Sequence, residues 1–260
     1  SKLNFKDIPK IYCNRPYKME KINGKHFFEL ENLNKSNVEQ ILDNIITCLT
    51  SLHKKKEIKS SKEDIDNVYI KKTLNRLKSV SKIIPNFSSA ETFTINGKKC
   101  KNFLHKKNIK IFKDISNYLF IDKFCPIHGD PTFSNILIKK NLKPIFIDPR
   151  GYFSNEMNIF GDPLYDYSKV YYSLIGNYDS FNRRKFKLYI DNYSVEIMMD
   201  KIYPKESKDI FKSNLRNKMK NIEIIHSLIW LSLSGYVKDD IDSILASFYN
   251  GIYWMNRALN

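Results

Sequence analysis

Between Cys125 and Gly151 the helical periodicity that runs through most of this chain stops. In its place stand a polar loop (CPIHGDPTFS), a short apolar strand (NILIKK), a turn at Asn141–Leu142, a second strand (KPIFID) and a loop (PRG). Elsewhere apolar residues recur mainly at helical spacing. This limits the architecture to α+β: mostly helix, one small β-hairpin in the middle, and a scrap of β at the start.

The helices follow from pattern and caps. Ser36 and Glu39 form a capping box, and Val38, Ile41, Leu42, Ile45, Ile46, Leu49 and Leu52 share one face, predicting a helix over 36–53. A second is predicted from Ser61 or Lys62 to about Ile84, stopped by Pro85. Asn96–Gly97 marks a hairpin turn within 86–107, and 108–120 reads as a third helix. Asp162–Pro163 starts a helix running to about Leu174, with further helices near 181–199, 205–221, 222–235 and 239–258. Upstream, Ile11–Tyr12 ends a strand or loop, and Gly24 turns the chain between a Tyr17–Ile22 strand and a Phe27–Leu30 segment.

Composition excludes several classes. With 260 residues there is room for one large domain or two small ones, and 42% hydrophobic residues argue against wholesale disorder. Apolar runs end well short of the roughly 18 residues that span a bilayer. Cys13, Cys48, Cys100 and Cys125 lie far apart with no C-x-x-C, which excludes a zinc ribbon, a thioredoxin motif and a dense disulfide framework. No signal peptide is visible, and a cytosolic setting is expected. The net charge of +16 favours polyanions such as nucleotide phosphates. Lysines are spread along the whole chain, however, as on a generic solvated basic surface. With no nucleic-acid motif, neither nucleic acid nor membrane is expected as a partner.

The chemistry-bearing residues cluster at the texture change. If the strands pair around Asn141–Leu142, partners sum to 283: Ile138 faces Ile145 and Asn135 faces Asp148. A one-residue slip would break that pairing. An amide and a carboxylate would then meet at the open end of the hairpin, with Asp130 in the loop entering that end. Oxygen donors of this kind suit Mg²⁺, which completes its octahedron with phosphate oxygens and water. Asp130 would orient or accept a proton from an attacking hydroxyl, as phosphoryl transfer requires.

His128-Gly129-Asp130-Pro-Thr-Phe-Ser-Asn135, followed thirteen residues later by Ile147-Asp148-Pro-Arg150-Gly151, resembles the aminoglycoside phosphotransferase and choline kinase family, relatives of the protein kinases. Leu49-Thr-Ser-Leu52-His53 resembles its L-x-x-L-H element and Gly161-Asp162-Pro163-Leu-Tyr-Asp166 its G-D-P-x-x-D element. Tyr17-Lys-Met19-Glu20-Lys-Ile22-x-Gly24 resembles its adenine-contacting hinge. The likeness covers roughly residues 8–175. It implies that Asp130 is the catalytic base and that Asn135 and Asp148 hold Mg²⁺. It also implies that the backbone of Met19, Glu20, Lys21 and Ile22 binds the adenine of ATP or another nucleoside triphosphate. His128 and Asp166 would hold the catalytic loop. Asp162 reads as a helix N-cap and His53 as structural, while Arg150 reads equally as a phosphate contact or as a carboxylate's partner.

The implied fold is the mostly helical C-terminal lobe of a protein-kinase-like fold with a truncated β N-terminal part: 1–24 as the remnant of the N-terminal lobe and hinge, 25–260 as the helical lobe. The implied activity is ATP- and Mg²⁺-dependent transfer to a small-molecule hydroxyl on a sugar, amino alcohol or choline-like acceptor. No G-x-G occurs, and Lys2, Lys6, Lys10, Arg15 and Lys18 stand outside the context of a phosphate-binding strand lysine. Either an upstream domain completes the N-terminal lobe, or another phosphate clamp replaces it. The alternative is a non-catalytic kinase-like binding module, against which the intact carboxylates argue. Trp230, Tyr236, Phe248, Tyr249, Tyr253 and Trp254 read as core packing before they read as an acceptor box. Asp239, Asp240 and Asp242 read as a helix start before a cation site.

Overall fold

The computed structural model describes residues 5–14, 16–154, 158–204 and 206–260. Its first half runs through strands β1 (Ile11–Asn14), β2 (Tyr17–Met19) and β3 (Lys25–His26), helix α1 (Lys35–His53) and strand β4 (Ile58–Lys59). Helices α2 (Lys62–Ile65) and α3 (Lys72–Val80), hairpin β5 (Thr92–Ile95)–β6 (Lys98–Lys101) and helix α4 (Ile111–Tyr118) follow. Next come strands β7 (Lys123–Pro126), β8 (Ile136–Ile138), β9 (Pro144–Phe146) and β10 (Phe160–Gly161), then helices α5 (Pro163–Leu174) and α6 (Tyr178–Asn182). The chain ends with hairpin β11 (Phe186–Asp191)–β12 (Ser194–Met199) and helices α7 (Ser207–Leu215), α8 (Met219–Ser234) and α9 (Ile241–Leu259). The architecture is mixed α+β, helix predominating, with several small sheets.

The chain divides into two compact units, one of residues 1–60, 123–179 and 201–217 and the other of residues 61–122, 180–200 and 218–260. In the first, α1 buries its apolar stripe (Val38, Ile41, Leu42, Ile45, Ile46, Leu49 and Leu52) and packs on α5, α7 and β9. Each such side chain contributes about 1.5–3 kcal/mol when fully buried. The cap is Asn34, which accepts from the Asn37 N–H at 2.8 Å, so Ser36 lies inside the helix and the expected Ser36–Glu39 box is not its start. Strands pair in the orders β1-β2, β10-β7-β4 and β3-β8-β9. The Tyr17–Ile22 strand stops at Met19, and Phe27–Glu29 is a single 3₁₀ turn.

In the second unit α3 packs on α8, and α8 on α9. The helix expected from Ser61 to Ile84 has its cap where the sequence placed it, Ser61 accepting from Asp64 N–H, but contains a π-type turn over Asp66–Lys71. Trp230, Phe248 and Tyr249 are buried in the core, as read. Tyr236 and Trp254 have arginines over their rings, Arg76 at 5.0 Å and Arg257 at 5.1 Å. Asp240 caps α9 and pairs with Arg184, so the acidic run is a helix start with its own cation.

The helix expected over 181–199 is instead α6's end followed by the β11–β12 hairpin. Phe186 and Leu188 are less exposed than Lys187 and Tyr189, Val195 and Ile197 are buried between exposed Ser194, Glu196 and Met198, and Asn192 turns the chain at φ 48°. That period of two wins over the apolar content that a helix reading counts. The sheet runs β11-β12-β5-β6, the β12–β5 pair being parallel. β5–β6 turns at Asn96–Gly97 as the sequence indicated and β8–β9 is the central hairpin expected, so β11–β12 is the addition.

Candidate functional site

The hairpin β8–β9 pairs Ile136 with Phe146, Leu137 with Ile145 and Ile138 with Pro144. These sum to 282, one residue off the predicted register. The cause is the turn. Lys139 N–H bonds to Lys143 C=O and Leu142 N–H to Lys139 C=O, with Leu142 at φ 61°. That is a three-residue loop ending in a left-handed residue, where the sequence suggested a two-residue turn. A leucine there carries no glycine-like signal of the strained conformation. Asn135 therefore faces Ile147, which donates to the Asn135 C=O at 3.0 Å, and does not face Asp148.

The oxygen donors still gather at the same end. Asp148 is turned by its own left-handed backbone, φ 53°, and is exposed. Its carboxylate makes no hydrogen bond or ion pair among the described residues. Asn135 Nδ2 donates to the Asp130 C=O at 2.9 Å, which fixes the amide and leaves Oδ1 without a partner among those residues. Asp130 and Asp148 both act on the His128 ring. Among the described residues no three His, Cys, Asp or Glu side chains form a ready metal cluster. The donor set that fits a hard cation is Asn135 Oδ1 with the Asp148 carboxylate, Asp130 beside it, leaving most of the coordination sphere to phosphate and water.

The loop carrying Asp130 is locked from several sides. Asp166, fully buried on α5, accepts from His128 N–H at 2.9 Å, Gly129 N–H at 2.8 Å and His53 Nε2–H at 2.9 Å. Asp162, four residues earlier, caps α5 by accepting from Leu164 N–H, as the sequence indicated. His53, at the end of α1, faces the same carboxylate, so the L-x-x-L-H and G-D-P-x-x-D elements meet at one point. Ser173 Oγ accepts from Phe133 N–H at 3.1 Å. From β3, His26 Nδ1 lies 3.2 Å from the carbonyls of Phe133 and Ile136. Sequence reasoning missed His26, Ser173 and Lys169, none of which lies in a local motif.

His128 has a defined tautomer. Nε2 lies 2.9 Å from the Ile147 carbonyl, which only accepts, so Nε2 carries the hydrogen and Nδ1 accepts from Asp130 N–H at 3.3 Å. Burial lowers the His128 pKa below the ordinary 6.5 and outweighs the raising effects of Asp166, the Ile147 carbonyl, Asp130 and Asp148. The unfolded chain thus binds this proton more readily than the folded one. Stability at this position is full above the ordinary value and falls as pH drops through it. Thermal midpoints at pH 7.5 and 5.5 should show a larger loss in the parent protein than in His128→Gln. Equal losses would contradict the assignment.

The hinge-like segment ends on this hairpin. Lys25–His26 pair with Ile138 and Leu137, and a Cβ on Gly24 would meet the Ile138 carbonyl at 3.0 Å. Met19 pairs with Ile11, and Glu20 N–H donates to the Lys10 C=O at 2.7 Å. Lys21 and Ile22 belong to no strand or helix, and their backbone groups have no partner among the described residues. Lys6, Lys10 and Lys18 are exposed, while Lys2 and Arg15 lie outside the described residues.

Cys48 and Cys100 are poor nucleophiles, because burial and then Asp7 push the Cys48 thiol to about 12 and burial raises Cys100. Two cations flank Asp130 instead: Lys169 Nζ lies 2.9 Å from Oδ1, and Arg150 is held by Tyr165 and Tyr152. No family model, curated protein or solved structure matches this chain.

Proposed function

We propose that this chain binds a nucleoside triphosphate with Mg²⁺ at the mouth of β8–β9 and transfers the terminal phosphoryl group to a small-molecule hydroxyl. The observation that carries the reading is the pairing of a rigid loop with unpartnered oxygen donors. Asp166, His128 and Asn135 fix the backbone around Asp130, while Asn135 Oδ1 and the Asp148 carboxylate stay available. A buried carboxylate accepting two consecutive backbone amides is a costly arrangement whose product is a fixed loop.

In this reading the acceptor oxygen attacks the terminal phosphorus in line. The bond to the β–γ bridging oxygen breaks, the nucleoside diphosphate leaves, and Asp130 takes the hydroxyl proton. A bound Mg²⁺ would neutralise charge on the phosphate oxygens. Asn135 and Asp148 would hold it, with the backbone at Lys21 and Ile22 offering the adenine its donor and acceptor. The fold would be the C-terminal lobe of a kinase-like enzyme. The acceptor would be a hydroxyl on a sugar, an amino alcohol or a choline-like compound.

Calorimetric titration with ATP, in Mg²⁺ and in EDTA, tests this reading. The parent protein should bind ATP at least about tenfold tighter with Mg²⁺, a difference of one charge-assisted contact or more. Asp148→Ala should lose that gain and keep the metal-free affinity. Equal Mg²⁺ dependence in both proteins would discard the assignment.

A further inference from the structure

The pair Lys169–Asp130 is lopsided. The lysine side chain is 14% exposed and the carboxylate 38%. Tyr165 and Tyr172 wall the ammonium, ring centroids 5.9 and 5.4 Å away, and Tyr172 stacks on Tyr178 at 4.4 Å. Burial opposes the Lys169 charge, but Tyr165 and Asp130 outweigh it and raise its pKa. Ion pairs of this kind contribute little net stability, and apolar replacements of similar volume are often neutral or stabilising. A structural role is therefore a poor reason for a cation here.

Arg150 approaches from the other side. Its backbone N–H donates to the His128 C=O at 2.9 Å, and a Cβ on Gly129 would come within 2.9 Å of its own Cβ. The chain thus crosses directly over the loop, and Gly129, at φ 82°, makes room for it. Arg150 Nη1 donates to Tyr165 Oη and Nη2 to Tyr152 Oη, both at 3.1 Å, with the guanidinium 4.3 Å from the Tyr152 ring centre. Two of five N–H donors are committed, and the others have no partner among the described residues. Asp130 acts on this guanidinium too. Tyr165 thus touches both cations: Lys169 pairs directly with the carboxylate that must be free to take a proton, and Arg150 stands near enough to feel its charge.

We infer that Lys169 and Arg150 form a phosphoryl-binding site beside Asp130, with Asp130 as their resting counter-ion. The inference rests on the proposed function only for where the phosphoryl group comes from. It is either the nucleotide's terminal phosphoryl or a phosphate on the acceptor. When that group enters, the ammonium and guanidinium turn to its oxygens and Asp130 is released to meet the acceptor hydroxyl. These two residues would then supply the phosphate clamp that no Gly-rich loop in this sequence provides.

The test uses Lys169→Met, which fits the tyrosine wall, and Arg150→Gln, at a half-exposed position where misfolding is not expected. Inorganic phosphate is titrated first, read by amide shifts of Gly129 and Asp130. The parent protein should bind, and each variant should weaken binding about tenfold or more. Mg·ATP and Mg·ADP are then compared by calorimetry. A preference for ATP that falls to about unity in both variants assigns the site to the nucleotide. A preserved preference with lost phosphate binding to protein loaded with a non-hydrolysable ATP analogue assigns it to the acceptor. Unchanged phosphate binding in both variants overturns the inference. Nucleotides that bind nowhere, with phosphate still bound through Lys169 and Arg150, overturn the proposed function and leave this site standing.

Discussion

Asp130→Asn is expected to reduce ADP release from Mg·ATP by about 10²–10⁴-fold, the usual contribution of a positioned general base. Affinity for Mg·ATP should stay within a few-fold. The asymmetry follows from the geometry. The Asp130 backbone, through its C=O to Asn135 Nδ2 and its N–H to His128 Nδ1, holds the loop, and the substitution leaves both bonds in place. Its side chain pairs with Lys169 and is partly open to solvent; the amide oxygen of Asn can still accept from that ammonium, so the substitution removes the proton acceptor and leaves the cation a partner. An amide of the same shape cannot take the proton. Parallel loss of turnover and binding would mean that Asp130 is a ligand-holding or folding residue. Unaltered turnover would remove it from the chemistry altogether.

Asp166→Ala is expected to cost about 3–5 kcal/mol of stability and to disorder the loop before any substrate is considered. The carboxylate is 0% exposed and accepts from two consecutive backbone amides and one imidazole. Removing it leaves those donors buried without an acceptor, and each such group costs about 1–3 kcal/mol. No neighbouring acceptor stands in for both amides. Asp166→Asn should fall in between, since one amide oxygen cannot replace two carboxylate oxygens for two N–H groups. Urea denaturation monitored by circular dichroism measures the loss. Amide exchange at His128 and Gly129 measures the loosening, with protection expected to drop by at least two orders of magnitude. A loss under about 1 kcal/mol with those amides still protected would show that the loop is held by other means.

Much of this arrangement is readable in the residue string because local rules govern it. The Val38–Leu52 stripe, the Asp162 cap and the Asn96–Gly97 turn each depend on neighbours within a few positions. His128, Asp130, Asn135 and Asp148 come to the same end of β8–β9 because a hairpin joins them, and a hairpin is a short-range object. The failures have equally specific causes. Leu142 adopts a left-handed conformation without a glycine to announce it, and that alone shifted the register and separated Asn135 from Asp148 as cross-strand partners. The β11–β12 hairpin is apolar enough to pass for helix until its alternation is weighed against its length. Lys169 and His26 escape any motif reading, because their meaning comes from what α5 and β3 bring to the Asp130 loop. Long-range packing decides such contacts, and a spacing rule does not contain it.

The central claim is that the mouth of the β8–β9 hairpin holds a divalent metal–nucleotide complex. Substituting Mn²⁺ for Mg²⁺ with ATP and recording amide line broadening tests it most directly, because paramagnetic broadening falls off steeply with distance from the ion. The resonances of Gly129, Asp130, Asn135 and Asp148 should be lost at substoichiometric Mn²⁺·ATP while those of α1 persist. Broadening confined to other parts of the chain, or none at all at saturating Mn²⁺·ATP, would contradict it.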